Sequence, residues 1–380
     1  MKKIILFLLL SHYSLSQDWV QLGSDIDGEA IGDMSGRAVS LSSDGTIVAI
    51  GAYSNDVNGT SSGHVRVYSW NGSAWVQRGS DIDGDAVLDY FGYSVSLNSD
   101  GTIVAIGGYG NDGGGNSSGH VRVYTWNGSV WVQRGSDING EAANNYSGVD
   151  VSLSSDGNIV SIGAYANSGN GNASGHVRVY EWNSGSSSWV QKGNDIDGEA
   201  AEDYSGYYLS LSSDGTIVAI GAIKNDGNGS DAGHVRVYEW DGSAWAKRGN
   251  DIDGEAADDE SGYSVSLSSD GTIVAIGAML NDGNGFASGH VRVYEWDGSA
   301  WDKRGNDIDG EAVGDVSGSS VSLNSDGTIV AIGAYGNDGI GNNAGHVRVY
   351  KWNGAYWSKR GNDIDGEAPG DNSGNSVSLS

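Results

Sequence analysis

The chain of 380 residues contains no cysteine, one proline (Pro369), three methionines and three phenylalanines, and its 20 Lys and Arg are outnumbered by 49 Asp and Glu. Without cysteine there is neither a disulfide framework nor a thiolate-ligated metal. A formal net charge of −29 repels phosphate backbones, so no nucleic-acid partner is expected. Past the N-terminus no apolar run reaches the roughly 20 residues of a membrane helix, and the mature chain should carry no transmembrane segment. Helical periodicity is also missing. Glycine is abundant, with 63 residues, beside 13 Trp and 19 Tyr. Aromatics this numerous and this regularly placed exclude a disordered chain.

Lys2 and Lys3 precede the short apolar run Ile4 to Leu10, and Ser14-Leu15-Ser16 precedes Gln17. A basic start, a short apolar core and a small-x-small site form a secretory signal pattern. Residues 1–16 are read as a signal peptide and 17–380 as one domain, secreted or held at the cell surface. Export without cysteine suits an envelope protein that does not depend on disulfides.

Gly-His-Val-Arg-Val-Tyr begins at Gly63, Gly119, Gly175, Gly233, Gly289 and Gly345, at intervals of 56 or 58 residues. A fixed period of this length marks an array of one supersecondary unit. In the second copy, Tyr93 to Leu97 alternates as a strand and ends at Ser99-Asp100-Gly101. Thr102 to Ile106 is a β-branched run suited to a strand buried on both faces. His120 to Trp126 follows, then the hairpin signal Asn127-Gly128, then Trp131 to Arg134. These are four antiparallel strands, A to D. Four short strands per unit, repeated six or seven times, predict an all-β fold, a β-propeller of four-stranded antiparallel blades. The blades run over 36–82, 92–138, 148–196, 206–252, 262–308 and 318–364. The paired Trp of each unit should fill the wide outer wedge. Arg66 and its counterparts should lie between blades and pair with a carboxylate.

Two pieces remain. Residues 19–26 match strand D and 374–380 match strand A, which predicts six complete blades plus a split, incomplete seventh, and a propeller that forms part of a longer chain. A propeller closed in this way is expected to be monomeric.

Asp89-Tyr90-Phe91-Gly92-Tyr93-Ser94-Val95, a following Asp-Gly turn, Ile103-Val104-Ala105-Ile106-Gly107 and Gly119-His120-Val121-Arg122-Val123-Tyr124 together resemble the FG-GAP repeat. That repeat forms the blades of integrin α-chain propellers and of many secreted bacterial proteins. The resemblance spans residues 18–380. Ser-Gly stands for Phe-Gly in all copies but one, and the Asp-x-Asp-x-Asp-Gly calcium loop between strands A and B is replaced by Ser-Asp-Gly. The resemblance implies a non-enzymatic surface module that binds or adheres to an extracellular protein or glycan.

On the residues themselves, two loop sets gather on one face. The B–C loops offer Tyr53, Asn55, Asp56, Tyr109, Asn111, Asp112, Asn225, Asp226, Asn281, Asp282, Phe286, Asn337 and Asp338 as ligand contacts. The D–A segments offer Asp25, Asp27, Glu29 and Asp33; Asp81, Asp83, Asp85 and Asp89; and Asp195, Asp197, Glu199 and Asp203. They continue with Asp251, Asp253 and Glu255; Asp307, Asp309, Glu311 and Asp315; and Asp363, Asp365, Glu367 and Asp371. Hard oxygen donors at this density would take Ca²⁺, although no cofactor is required, and a solvated acidic turn is the alternative. The six strand-C histidines (His64, His120, His176, His234, His290, His346) read as repeat consensus, because equivalent positions on different blades stand far apart. Three further readings are a multivalent lectin using Tyr53, Tyr109 and Phe286, a spacer in a surface protein, and a polysaccharide-active enzyme. The last requires an atypical acid or His cluster on one blade, and near-identical blades are expected to lack one.

Overall fold

The computed structural model describes residues 19–380. The expected signal peptide lies outside them. The described residues form six antiparallel sheets and no helix, a six-bladed propeller in which every sheet runs A–B–C–D. In the first blade, A is Ser35–Leu41, B is Ile47–Ala52 and C is His64–Trp70. Strand B is buried along nearly its whole length in every blade, as a sheet covered by neighbours on both faces requires.

Strand D departs from expectation. It has two parts on one edge of strand C: Trp75–Gln77 pairs with Tyr68–Trp70, and Ile82–Asp83 pairs with His64–Val65. Gly79, at φ 84°, makes the kink between them; a Cβ there would lie 2.8 Å from the Trp126 ring of the next blade. The last two residues of the Asp-Ile-(Asp/Asn) motif, expected in a loop, are therefore the second half of strand D in all six blades.

The blades meet backbone to backbone along close seams. Gly107 is one: a Cβ there would stand 2.0 Å from the Gly148 carbonyl oxygen, so backbone meets backbone with no room for a side chain. Outside this seam the Trp pairs sit half-buried, with ring centroids 5.4 Å apart for Trp126 and Trp131. Trp131 Nε1 donates to the Arg78 carbonyl of the preceding blade at 2.7 Å. At the axis, a serine of each strand A accepts the backbone N–H of a leucine on the following one. Leu97 donates to Ser40, Leu153 to Ser96 and Leu211 to Ser152.

The expected split seventh blade does not form a sheet. Its two pieces nevertheless pack at the gap between the sixth and first blades. Leu379 donates to Ser322 Oγ at 2.9 Å, and Leu41 donates to Ser378 Oγ at 3.1 Å. At the other end, Trp75 Nε1 donates to the Leu22 carbonyl at 2.9 Å.

Candidate functional site

Strand A lines the axis, so its third and fourth residues decide what the channel holds. Around the axis the third position reads Arg37, Tyr93, Val149, Tyr207, Tyr263, Ser319 and Asn375. The fourth reads Ala38, Ser94, Asp150, Tyr208, Ser264, Ser320 and Ser376. Ser94, Ser264 and Ser320 donate to the carbonyls of Gly148, Gly318 and Gly374 across the seams. Arg37 and Asp150 are the charged residues in the lining of this cavity of about 180 Å³, which also contains Tyr93 and Tyr208.

Arg37 Nη2 donates to the Tyr93 hydroxyl at 3.3 Å and to the Tyr208 hydroxyl at 3.4 Å, and its guanidinium lies over the Tyr93 ring. Asp150 accepts backbone N–H groups from Leu209 at 2.8 Å and Val151 at 3.0 Å. Enclosure in the channel wall pushes the Asp150 carboxyl up to about 7; the two backbone donors and the Arg37 charge pull only part of the way back. Enclosure likewise raises the Tyr208 hydroxyl well above its ordinary value and the Tyr263 hydroxyl to about 12. These phenols remain neutral hydrogen-bond groups near neutral pH.

Above this pair an arc of ten tyrosines borders the channel on the B–C loop side. Tyr90 stacks on Tyr109 at 4.9 Å and Tyr146 on Tyr165 at 5.4 Å, both at 10° between planes. Tyr53, Tyr93, Tyr204, Tyr207, Tyr208 and Tyr263 continue the chain of contacts. Tyr90, Tyr146 and Tyr204 have φ of 51°, 54° and 56°, a left-handed conformation costly for a bulky residue. Inter-loop bonds hold it; Tyr90 N–H, for example, donates to the Ser61 carbonyl at 3.1 Å. A second cavity of about 410 Å³, lined by Tyr335 and Asp371 among others, shares Arg37, Asn375 and Ser376 with the first.

The B–C loop candidates are placed differently from expectation. Tyr53 and Tyr109 belong to the arc. Phe286 stands alone and 75% exposed. Asn55, Asn225, Asn281 and Asn337 are buried, and Asn55 and Asn281 donate to Asp33 and Asp259, as half-buried Asn111 does to Asp89. Asp56, Asp112, Asp226, Asp282 and Asp338 each accept a backbone N–H five residues on. These loops are tied to themselves.

The acidic candidates also divide. Asp33, Asp89, Asp203, Asp315 and Asp371 accept turn N–H groups from Ala30, Ala86, Ala200, Ala312 and Ala368. Asp25 is held by Gln21. The Asp27 carbonyl takes the Arg66 guanidinium, and Asp85 takes that of Arg122. Asp83, Asp197, Asp253, Asp309 and Asp365 sit in strand D opposite the strand-C histidines. Burial, then the preceding Asp, raises the carboxyl pKa of the first four. Asp81, Asp195, Asp251, Asp307 and Asp363 gather with Glu29, Glu141, Glu199, Glu255 and Glu311 around five of the histidines. Glu367 has no histidine of this kind beside it among the described residues.

No family model matches the chain, so the FG-GAP resemblance is not confirmed; no curated protein matches it either. Solved structures do match. One is a protein assigned as a 6-phosphogluconolactonase from Bacteroides uniformis, with TM-score 0.59 and 11% identity over 87% of this chain and 85% of that one. A periplasmic gluconolactonase from Pseudomonas aeruginosa has TM-score 0.58 and 13% identity over 86% and 85%. Hydrazine synthase from Kuenenia stuttgartiensis has TM-score 0.53 and 12% identity over 88% and 80%. The likeness is one of fold.

These findings correct the expectation of a non-enzymatic adhesion module. The three solved structures named above bear the names of enzymes, two of them lactonases. No blade gathers an atypical acid or histidine cluster of its own among the described residues; the departure from the repeat is a pair of single residues on two blades. Arg37 and Asp150 break the symmetry at the axis, where the blades approach one another. Comparing the seven copies of strand A column by column would have found them, since these are positions where an otherwise constant strand changes charge.

Proposed function

We propose that the axial channel is the active site of a hydrolase that opens small, sugar-derived lactones or related esters. The observation that carries this reading is Asp150, a lone carboxylate in the channel lining with its pKa raised to about 7, where a general base works best. Asp150 takes a proton from water as the water oxygen bonds to the acyl carbon. The carbon–oxygen ring bond then breaks, and the protonated Asp150 returns the proton to the leaving ring oxygen. Water has been added and a hydroxy acid is released. Arg37 faces the negative charge that develops on the carbonyl oxygen, and the tyrosine arc supplies flat faces for a sugar ring. A single channel carboxylate suits acyl chemistry better than glycoside hydrolysis, which uses two. The names of the fold's lactonase relatives support the same reaction class.

We further infer that residues 19–26 and 374–380 share a seventh blade position, in which 374–380 completes the channel wall. The basic and apolar leader supports an activity outside the cytoplasm.

The test is hydrolysis of glucono-δ-lactone and its 6-phosphate, corrected for the spontaneous reaction. Asp150→Asn and Arg37→Gln should each lower kcat/KM about 10²-fold or more. Wild-type turnover no faster than that of Asp150→Asn would refute the reading.

A further inference from the structure

The strand-C histidines start far from the axis and from one another, which excludes a shared ring site. Each instead meets carboxylates brought to it by strand D and by the segment preceding its own blade. His64 Nδ1 lies 3.8 Å from Glu29 Oε2 and 3.9 Å from Asp81 Oδ2. His176 Nδ1 lies 3.6 Å from Asp195 Oδ2, and a Glu141 oxygen is within 4.8 Å of both. Both imidazoles are about 99% buried, and both Nδ1 atoms lack a hydrogen-bond partner. A buried ring nitrogen left bare beside two carboxylates wants either a proton or a cation.

We propose that this chain binds two transition-type divalent cations of the zinc class, one at His64–Glu29–Asp81 and one at His176–Glu141–Asp195. One imidazole and two carboxylates are ligands such an ion accepts at about 2.0–2.2 Å, leaving a position for water. Closing the 3.6–3.9 Å histidine–carboxylate separations onto that ion requires shifts of a few tenths of an ångström, and the remaining ligand pairs lie within 4.8 Å. The imidazole selects against Ca²⁺, which takes oxygen. The second oxygens are already held. Gln77 donates to Asp81 Oδ1 at 2.5 Å and Gln191 to Asp195 Oδ1 at 2.6 Å. Arg66 sits by the other Glu29 oxygen, Oε1, at 3.9 Å, and Arg178 by Glu141 Oε1 at 3.6 Å. Asp81, Asp195 and Glu29 are thus aimed with the other oxygen toward the histidine.

The other blades carry their own cation. Where blades one and three have Gln77 and Gln191, blades four to six have Lys247, Lys303 and Lys359. Lys247 Nζ is 2.5 Å from Asp251 and 3.9 Å from Glu199. Lys303 pairs with Asp307 and Glu255, and Lys359 with Asp363 at 2.5 Å. In blade two the shorter Asp85 replaces Glu, and Arg122 Nη2 reaches both Asp85 and Asp137 Oδ2. The three lysines take the Oδ1 that glutamine holds in blades one and three, so a fixed positive charge stands beside the cluster in all four blades and repels a cation there.

The experiment is equilibrium dialysis of the full, untagged, chelator-stripped chain against ZnCl₂ in the presence of millimolar Ca²⁺. Two zinc ions per chain are expected. Glu29→Gln and Glu141→Gln, changes at half-exposed side chains that should not affect folding, should each lower affinity at one site at least about 10-fold and together abolish tight uptake. Lys303→Gln should add a third ion. Zinc uptake unchanged by both Gln substitutions, or displaced by Ca²⁺, would place the metal on the acidic surface and overturn the proposal, as would no uptake at all. Lactone hydrolysis by zinc-free protein is read separately, so neither result decides the other.

Discussion

The Asp150 carboxylate accepts the backbone N–H of Leu209 at 2.8 Å across a blade boundary, from a position where other blades carry a serine that bonds to a glycine carbonyl. One substitution thus exchanges a neutral seam contact for a titratable group facing the channel.

That exchange has a pH signature. A base is active once deprotonated, so kcat/KM should rise with pH through about 7 and level off above it. Stability should move the other way. A carboxyl raised from 3.8 to about 7 holds its proton more tightly when folded, so it costs stability as pH climbs between those values. Asp150→Ser should therefore raise Tm by about 2–4 °C at pH 8, with the gain fading toward pH 4. Scanning calorimetry across this range checks it; a gain of the same size at pH 4 would contradict the account.

Ser96 should matter far more than its exposure suggests. Its Oγ accepts the N–H of Leu153 at 3.0 Å, and Leu153 is buried. Ser96→Ala strands that donor and should cost about 1–3 kcal/mol, with faster exchange at the Leu153 amide. Ser73→Ala, in an exposed C–D turn, should stay within about 0.5 kcal/mol. Equal losses in urea unfolding would show that the axial ring contributes nothing special.

The buried histidines should make the propeller acid-sensitive. Burial, then the neighbouring arginine, lowers His176, His234 and His290 from 6.5 to about 4, and His346 in the same direction. A group whose folded pKa is depressed stabilises above its unfolded value, and that stability is lost as pH falls. Tm should be nearly flat from pH 7 to 8 and fall between about 6.5 and 4. Replacing His176 with Gln should flatten part of that fall.

Much of the architecture was legible in the repeat. The strand-B runs, the Asn-Gly turn and the Trp pairs lie where period and turn chemistry put them, because these features act within one blade. Strand D was misread past Gly79, since its second half pairs only after the kink that the next blade's Trp126 imposes. The B–C loop asparagines read as free ligands in the sequence, whereas Asn55 and Asn281 are buried and bonded to the D–A turns.

Taken alone, the sequence determined the four-stranded unit, its count and its wedge-like burial, because alternation and turns are local and each blade's apolar faces demand neighbours. Tertiary structure decided the chemistry. Arg37 and Asp150 are 113 positions apart in the chain and share a cavity because ring closure turns every strand A toward one axis. Glu29 meets His64 because adjacent blades press their edges together. Repetition sets what all blades share; proximity at the axis and seams selects the few residues that differ and lets them act together.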